Sequence, residues 1–290
     1  MTIQELNKKY FGKIDYLDLE LIISHVIKKS RSFILAHPEQ KLTAKQAGKI
    51  ESLLKRRVKW EPLAYILGHK EFYGLEFKVN KNVLVPRPET ELIVDEVLDR
   101  ITHNAQRTTI IDVGTGSGCI ITTLAKILES RIKNKESRFF AIDISKKALF
   151  VAKKNASLHD INKKIKFMHG NLLEPIIHNS KFIIHDSELI ITANLPYLTP
   201  KQVKESPTIK REPKLALVAG PDGLKYYREL FKQIKKLKNL RPDLNTTIFC
   251  EIDHTQTKNL QSLLKKELPI AESEVLKDIH CLDRIITITI

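Results

Sequence analysis

The chain has 290 residues, of which 42% are apolar, so it can bury one sizeable core and carry a small second domain. Its formal net charge of +15 attracts nucleic acid, a ribosome surface or an acidic protein, but does not choose among these partners. We expect a cytoplasmic protein that does not contact membranes, because no apolar run approaches the roughly 20 residues of a membrane span and the N-terminus lacks a signal-peptide pattern.

Metal sites and disulfides are not predicted. The three cysteines, Cys119, Cys250 and Cys281, lie far apart and form no CxxC pair. The ten histidines show no ligand spacing such as HExxH. Chemistry that depends on a protein-bound zinc ion is therefore not expected.

Residues 1–70 are predicted to form a small N-terminal helical bundle. Two capping boxes begin helices there, Thr2 with Glu5 and Thr43 with Gln46. Apolar stripes at helical spacing follow: Leu17, Leu21, Ile22 and Val26, then Ala47, Ile50, Leu54 and Val58. With 14 Lys and Arg against 7 Asp and Glu, this segment holds nearly half of the charge excess. The excess favours a docking surface, although a general basic bias of the composition explains it equally well.

Residues 71–88 are predicted to form a β-hairpin linker, because apolar residues alternate there on both sides of the turn-like Asn80-Lys81-Asn82. Strands and helices alternate over residues 89–290, which predicts an α/β fold with a mostly parallel, Rossmann-like sheet and helices on both faces. We expect strands at 109–113, 139–142, 165–169 and 189–193, helices at 118–128 and 146–158, and a polar connector at 133–137.

A glycine-rich loop follows the first of these strands, at Gly114, Thr115, Gly116, Ser117 and Gly118. The glycines let the backbone approach a ligand, and the amides of the helix that begins at Cys119 face that ligand. The spacing is Gly-x-Gly-x-Gly instead of the Gly-x-Gly-x-x-Gly of dinucleotide sites, and no phosphate loop is present. The loop therefore favours S-adenosylmethionine (SAM) over NAD.

Two further positions at strand ends are candidates for contact with the cofactor. Asp143 follows the second strand, where a carboxylate can accept both ribose hydroxyls, although it could instead be the first residue of a helix. Asn171 and Leu172 follow the third strand, where the amide can meet the adenine edge and the leucine its face. A simple turn explains Asn171 equally well.

A second loop, Asn194-Leu195-Pro196-Tyr197, follows the fourth strand and is expected beside the first loop. An amide nitrogen is a poor nucleophile, so each of its hydrogens needs an acceptor. The side-chain oxygen of Asn194 and the backbone carbonyl of Leu195 supply two acceptors. Pro196 fixes the turn, and Tyr197 can stack on a planar amide or amine. Together the two loops predict a SAM-dependent methyltransferase with these four residues at the catalytic centre.

Several other segments are typical of one family. They are Pro62 to Gly68, Glu71 to Phe77, Val85-Pro86-Arg87-Pro88-Glu89-Thr90-Glu91, and Arg211 to Leu224. With these segments and the two loops, nearly the whole chain resembles the peptide chain release factor glutamine methyltransferases, also called the HemK family. The resemblance implies the fold of a class I SAM-dependent methyltransferase.

The resemblance also implies the substrate, which is the side-chain amide nitrogen of the glutamine in the Gly-Gly-Gln motif of class 1 release factors. It implies that residues 1–70 dock the release factor, and that residues 89–290 form the catalytic domain. Residues 114–118, Asp143 and Asn194 would contact SAM. The segment from Arg87 to Thr90 would border the same pocket, although by itself it is equally well explained as a charged exit from the hairpin.

The chain departs from the family pattern at several positions. The family usually has Asn-Pro-Pro-Tyr, so Leu195 keeps the carbonyl acceptor but loses one ring constraint, and we expect the site to survive. Asn171 stands where an acidic residue is usual, which weakens the adenine assignment. A late Glu-x-Gly-x-x-Gln pattern has Asp253 in place of its glycine, and Cys281 replaces a glycine before the last strand. These changes predict altered loops at the end of the sheet.

Two alternatives remain open. Asn-Leu-Pro-Tyr is also the form found in ribosomal RNA adenine dimethyltransferases, whose target is an exocyclic amine, and the basic charge fits an RNA substrate. That alternative leaves the N-terminal bundle and the Pro86 to Glu91 segment unexplained. A non-catalytic protein that keeps the fold and binds a partner is the second alternative, and the intact glycines and Asn194 argue against it.

Overall fold

The computed structural model describes residues 1–104, 107–131, 136–178 and 188–290. The polar connector expected at 133–137 falls largely outside these residues. The chain begins with a bundle of helices: α1 Ile3–Tyr10, α2 Tyr16–Ile27, α3 Arg31–Ala36, α4 Ala44–Val58 and α5 Leu63–Leu67. Both predicted capping boxes are confirmed, at the starts of α1 and α4.

The core of this bundle is built from buried aliphatic residues on facing sides of the helices. They include Ile3, Leu6, Leu19, Ile22, Ile23, Ile50 and Leu54. The predicted stripes were wrong at two residues, since Leu17 and Val58 are each 44% exposed. Leu17 lies in the first turn of α2, two residues after the N-cap Asp15, and Val58 is the last residue of α4. Both therefore lie at helix ends, where the side chain extends beyond the packed face.

A short antiparallel hairpin follows, made of strands β1 His69–Phe72 and β2 Leu75–Lys78. Its turn lies at Tyr73 and Gly74. Residues 80–83 do form a turn, in which the N–H of Val83 donates to the carbonyl of Asn80 at 3.1 Å, but this turn joins no pair of strands, so the prediction of a hairpin around it was wrong. Val83 and Val85 are buried like strand residues but have no strand partner, because they lie along the cavity described below. The apolar residues alternate at positions 83 and 85 because one side of this segment is buried, and not because the segment pairs with another strand.

The rest of the chain forms a sheet of seven strands in the order β5-β4-β3-β6-β7-β9-β8. The strands are β3 Arg107–Val113, β4 Glu136–Asp143, β5 Ile165–His169, β6 Glu188–Ala193, β7 Thr246–Glu251, β8 Glu272–Lys277 and β9 Asp283–Thr289. Strands β3 to β7 pair in parallel, and β8 and β9 form an antiparallel edge. The predicted class, a mostly parallel Rossmann-like sheet of the class I methyltransferase type with an N-terminal helical bundle, is confirmed.

Helices cover both faces of the sheet: α6 Glu91–Asn104, α7 Cys119–Arg131, α8 Lys146–Leu158, α9 Glu174–Ile177, α10 Pro200–Glu205, α11 Lys225–Leu240 and α12 Thr257–Glu267. Successive residues of β3 point to opposite faces, so Ile110 packs with α6 and α7 while Ile111 packs with α11 and α12. Within the described residues, no helix has the length and apolar character needed to cross a membrane.

The strand order also locates a crevice. The chain runs outward from β3 to β4 and β5, and then returns to place β6 on the other side of β3. The loops after β3 and β6 therefore leave the sheet in opposite directions. In open α/β sheets this switch point, at the carboxyl ends of the strands, is where ligands bind.

Candidate active site

A cavity of about 270 Å³ lies at this switch point. Its floor is made of the loops after β3, β4, β5 and β6, and its other walls come from residues 81–87 and 213–216. Among the predicted site residues, those that line it are Gly114, Thr115, Gly116, Ser117, Asp143, Asn171, Leu172, Asn194, Leu195 and Pro196. Gly118 and Tyr197 do not line it.

The glycine loop needs its glycines for reasons of space as well as backbone conformation. Gly114 has a φ of +72°, and a Cβ there would lie 3.0 Å from Cδ2 of Leu195. Gly118 has a φ of +78°, and a Cβ there would lie 3.0 Å from the Cβ of Ala152 in α8. Gly114 thus lets the two site loops approach each other, while Gly118 lets α7 pack against α8.

Asp112, the next-to-last residue of β3, ties the glycine loop to β6. Its carboxylate accepts hydrogen bonds from the hydroxyls of Thr115, at 2.6 Å, and Thr192, at 2.8 Å. The residue is only 1% exposed, and this burial raises the pKa of its carboxyl group to about 6, against the effect of the two hydroxyl bonds. Asp112 therefore shapes the loop from beneath and does not line the cavity.

Asp143 lies where β4 ends and faces the cavity. Its two carboxylate oxygens accept the backbone N–H groups of Gly116, at 2.9 Å, and Ser145, at 2.7 Å. Burial raises the pKa of this carboxyl group, while the two backbone bonds act in the opposite direction. Ser145 caps α8 through its own hydroxyl, so Asp143 is not the N-cap. A carboxylate has further lone pairs, and those of Asp143 are available to a pair of hydroxyl groups.

Asn171 and Leu172 lie together after β5. Leu172 has a φ of +53° and is 7% exposed, so its side chain both joins the core and lines the cavity. The amide nitrogen of Asn171 lies 3.5 Å from a carboxylate oxygen of Glu174. The turn packs so closely against α9 that only glycine fits at position 170, since a Cβ there would lie 2.3 Å from Cγ of Pro175. Asn171 is thus both a turn residue and part of the cavity wall.

The side-chain amide of Asn194 is fixed through hydrogen bonds that its nitrogen donates. Nδ2 donates to Oγ1 of Thr90 at 3.0 Å and to Oε2 of Glu251 at 2.8 Å. In the part of the chain that the structure describes, no hydrogen bond reaches Oδ1 of Asn194 or the backbone oxygen of Leu195. These two oxygens are the acceptors that remain for a ligand.

The other members of the second loop differ in position. The side chain of Leu195 is buried against Gly114, and Pro196 lines the cavity. The hydroxyl of Tyr197 donates to Oε1 of Glu251 at 3.2 Å, and the Tyr197 ring packs against the core. The structure therefore does not bring Tyr197 to the cavity. Among the described residues, the aromatic side chain that lines it is Tyr226 of α11.

The expectation that the segment from Arg87 to Thr90 borders the pocket is met, since both residues line the cavity, but the contacts that build the site were not predicted. Thr90 and Glu251 are both buried and hold Asn194. Glu212, whose side chain is 2% exposed, forms an ion pair with Arg87 and accepts the backbone N–H of Val85 at 3.0 Å, so it joins two walls of the cavity. Thr90, Arg87 and Glu212 lie in segments that carry the family resemblance, which was the only sequence signal for them.

The cavity fits a nucleoside cofactor that carries a positive charge, such as SAM. Gly114 and Gly116 provide a close backbone approach, and Asp143 offers carboxylate oxygens to ribose hydroxyls. Leu172 and Ile144 provide apolar surface for a base. Within the described residues, no cluster of His, Cys, Asp and Glu is arranged to hold a metal ion.

Comparison with known proteins agrees with this geometry. Residues 2–68 match a family described as the PrmC N-terminal domain, and residues 104–267 match one described as a methyltransferase domain. A release factor glutamine methyltransferase of Thermodesulfovibrio yellowstonii is 37% identical over 98% of this chain and 95% of that protein. The proteins of the same name from Bacillus anthracis and Bacillus subtilis are 32% and 35% identical, over 92% of this chain and 90% and 88% of their own lengths.

Solved structures share the fold at lower identity. The catalytic domain of hMettl16 in complex with MAT2A 3′UTR hairpin 6 has a TM-score of 0.56 at 17% identity, over 78% of this chain and 80% of that one. The METTL16 MTase domain has a TM-score of 0.51 at 16% identity, over 82% and 80%. At such identities the likeness shows the shared fold alone.

Proposed function

This chain belongs to the family of release factor glutamine methyltransferases, and we propose that it methylates the side-chain amide nitrogen of the glutamine in the Gly-Gly-Gln motif of class 1 peptide chain release factors. The observation that carries this proposal is the hydrogen bonding of the Asn194 side-chain amide. Thr90 and Glu251 accept the two hydrogens of its Nδ2, whereas among the described residues no donor reaches its Oδ1 or the backbone oxygen of Leu195, and both Asn194 and Leu195 line the cavity.

Two neighbouring acceptors suit a primary amide or amine, which has two hydrogens to donate. When Asn194 Oδ1 and the Leu195 carbonyl each accept one hydrogen, the nitrogen lone pair points away from both of them. The acceptors are fixed before the substrate arrives, so they stabilise the charge that develops on nitrogen without reorganisation. Most of the acceleration then comes from positioning in a site that excludes water.

SAM supplies a methyl group on a positively charged sulfur that is already a good leaving group. We propose that Gly114, Thr115, Gly116, Ser117 and Gly118 form its cradle, and that Asp143, Asn171, Leu172 and Asn194 complete the cofactor site. Gly118 acts here through the packing of α7 against α8, because it does not line the cavity. Asp143 holds the ribose hydroxyls, while Leu172 packs on the base.

The residue that stacks on the substrate amide has to be identified separately from the residues that accept its hydrogens. Pro196 lines the cavity and shapes the loop, in keeping with its expected role. Stacking on the substrate amide was expected from Tyr197, and that role stays a prediction. The contact of Tyr197 with Glu251 supports a role in holding the loop instead. We propose that Tyr226 provides the aromatic face, because it lines the cavity.

We also propose that residues 1–70 dock the release factor, that residues 71–88 link them to the site, and that residues 89–290 form the catalytic domain. The basic surface of the bundle suits an acidic partner. Weak contact with nucleic acid or the ribosome through the same surface stays a prediction, and so does a cytoplasmic location, where translation factors act.

A transfer assay tests this function against its rivals. The purified protein is given methyl-labelled SAM with a class 1 release factor, with the same factor carrying alanine for the Gly-Gly-Gln glutamine, and with unmodified ribosomal RNA. We expect label only on the unaltered factor. Label on RNA would support the adenine methyltransferase alternative. No SAM binding by calorimetry would support the non-catalytic one.

The variant Asn194→Ala tests the mechanism in the same assay. It removes the Oδ1 acceptor but leaves the buried surface of β6 intact, so the fold should be kept, and turnover is compared at saturating SAM because Asn194 is also assigned to the cofactor site. We expect kcat to fall about 100-fold or more, the effect of removing one preorganised partner of a developing charge. Near-normal turnover by this variant would contradict the assigned role of Asn194.

A further inference from the structure

The last residue of β7, Glu251, carries a carboxylate that is 1% exposed and lies directly behind the substrate acceptors. Three side chains donate to it: Thr90 through its hydroxyl at 2.6 Å, Asn194 through Nδ2 at 2.8 Å, and Tyr197 through its hydroxyl at 3.2 Å. Within the described residues no cation forms a salt bridge with this carboxylate. Burial raises the pKa of Glu251, against the opposing effects of the hydrogen bonds from Thr90 and Tyr197 and of the positive charge of Arg284.

The geometry decides which end of the Asn194 amide faces the cavity. Nδ2 has two hydrogens, and one is donated to Glu251 while the other is donated to Thr90. The hydroxyl of Thr90 gives its own hydrogen to Glu251, so it faces Asn194 with its lone pairs and acts there as an acceptor. Rotating the amide by half a turn would place Oδ1 against Oε2 of the carboxylate, and the single hydroxyl hydrogen of Thr90 could then serve only one of these two oxygens.

A neutral residue would not enforce this choice. A glutamine in place of Glu251 carries both a donor and an acceptor, so it can pair with Asn194 in either orientation of the amide. The flipped form would present N–H groups to the substrate amide, which needs acceptors. Burying an unpaired carboxylate is costly, so its presence at this position calls for a reason beyond packing.

We propose that Glu251 is a positioning residue for methyl transfer: with Thr90 as its bridge, it locks the Asn194 amide so that Oδ1 always faces the substrate. This inference rests on the proposed function. Glu251 acts through Asn194 and does not touch the substrate. Tyr197 belongs to the same lock, because its hydroxyl occupies the second carboxylate oxygen.

Kinetics of the Glu251→Gln variant test whether Glu251 fixes the orientation of the Asn194 amide. We expect kcat for release factor methylation at saturating SAM to fall on the order of 100-fold, with KM for the factor within about twofold of the wild type, because only the reacting geometry is lost. The matched control is Glu188→Gln, which removes a carboxylate from the opposite end of β6 that pairs with Arg100. That control should keep kcat.

A double-mutant cycle distinguishes positioning from a general structural effect. In an Asn194→Ala background, Glu251→Gln should cause no further loss of kcat, because the residue that it positions is already absent. Multiplicative losses, or a normal kcat in Glu251→Gln alone, would overturn the proposal. If Glu251→Gln does not fold, Thr90→Val removes the bridging hydroxyl and is expected to give the same pattern with a smaller loss.

A measurement independent of turnover completes the test. Asn194 side-chain amide protons, observed by NMR in protein labelled at asparagine, should exchange with solvent at least tenfold faster in Glu251→Gln than in the wild type. Equal exchange rates would overturn the proposal. If the wild-type enzyme failed to methylate any release factor, the proposed function would be contradicted, and the exchange measurement would still decide the role of Glu251.

Discussion

The side-chain amide of Asn155 in α8 donates a hydrogen bond of 2.8 Å to the backbone oxygen of Ser117 in the glycine loop. The same amide nitrogen donates to the carbonyl of Lys78, at 3.0 Å, and its oxygen accepts the Lys78 N–H at 2.8 Å. Asn155 is fully buried, so one side chain joins the end of the hairpin to the cofactor loop. The position of the N-terminal segment is thereby coupled to the site.

Replacement of Asn155 by alanine should loosen this connection. One buried backbone group of Ser117 and two half-buried ones of Lys78 would lose their partner, so we expect the free energy of unfolding to fall by about 2 kcal/mol, together with weaker SAM binding. Urea unfolding and calorimetry measure the two effects. Asn162→Ala, at an exposed turn, is the control and should change stability by less than about 0.5 kcal/mol. Equal behaviour of the two variants would contradict the coupling.

Two glycines of the cofactor loop should respond differently to alanine. At Gly116 an added Cβ meets only the carbonyl of Gly114, at 3.8 Å, so Gly116→Ala should cost about 1 kcal/mol of backbone strain but weaken SAM binding about tenfold. At Gly118 the Cβ would lie 3.2 Å from the Cα of Ala152, so Gly118→Ala should cost about 3 kcal/mol. The reverse order of stabilities would contradict this assignment of the loop.

The buried carboxyl group of Asp112 should make stability depend on pH. Its pKa rises from an ordinary 3.8 to about 6 on folding, so the folded state holds the proton more tightly than the unfolded chain does. Its stabilising contribution is therefore complete below pH 3.8 and is lost as the pH rises through 6, by about 3 kcal/mol in total.

The variant Asp112→Asn isolates this effect, because an amide of the same shape can bond to both threonines without titrating. The difference in the free energy of unfolding between the wild type and the variant should shift in favour of the variant from about pH 4 to about pH 7. A difference that stays constant across this range would show that the Asp112 carboxyl group has an ordinary pKa in the folded protein.

Cys281 occupies a backbone position that suits glycine. Its φ is +59°, and it lies in the turn before β9, where the family resemblance predicts a glycine. Cys281→Gly should therefore raise the free energy of unfolding by about 1 kcal/mol, whereas Cys281→Ala keeps the strain and should have little effect. Chemical unfolding measures the stability of the wild type and of the two variants. Equal stabilities for the glycine and alanine variants would show that the backbone at Cys281 is not strained.

The loops of the site were predictable because each follows a buried strand whose apolar residues are contiguous in sequence. The loop at residues 114–118 and the loop that begins at Asn194 could be located in this way, and the parallel sheet brings them together at the switch point. The hairpin was predicted at the wrong residues because an apolar pattern of strand type does not always mark a strand. The alternation at Val83 and Val85 has the period of a strand, but it arises from burial along a cavity wall.

The network behind the substrate acceptors could not be predicted from local pattern. Thr90 lies 104 positions from Asn194, and Glu251 lies 57 positions from it, so only the completed sheet places them in contact. The position of Tyr197 has the same origin. Its place in the loop suggested a ring over the substrate, yet its hydroxyl satisfies a carboxylate that belongs to another strand.

The position of the transferred methyl group distinguishes glutamine methylation from every alternative. A class 1 release factor is incubated with the purified protein and SAM, digested, and examined by tandem mass spectrometry. We predict a single methyl group on the side-chain nitrogen of the Gly-Gly-Gln glutamine, absent when Asn194→Ala replaces the wild-type protein under the same conditions. A methyl group on any other residue, or an unmodified glutamine after reaction with the wild-type protein, would contradict the account.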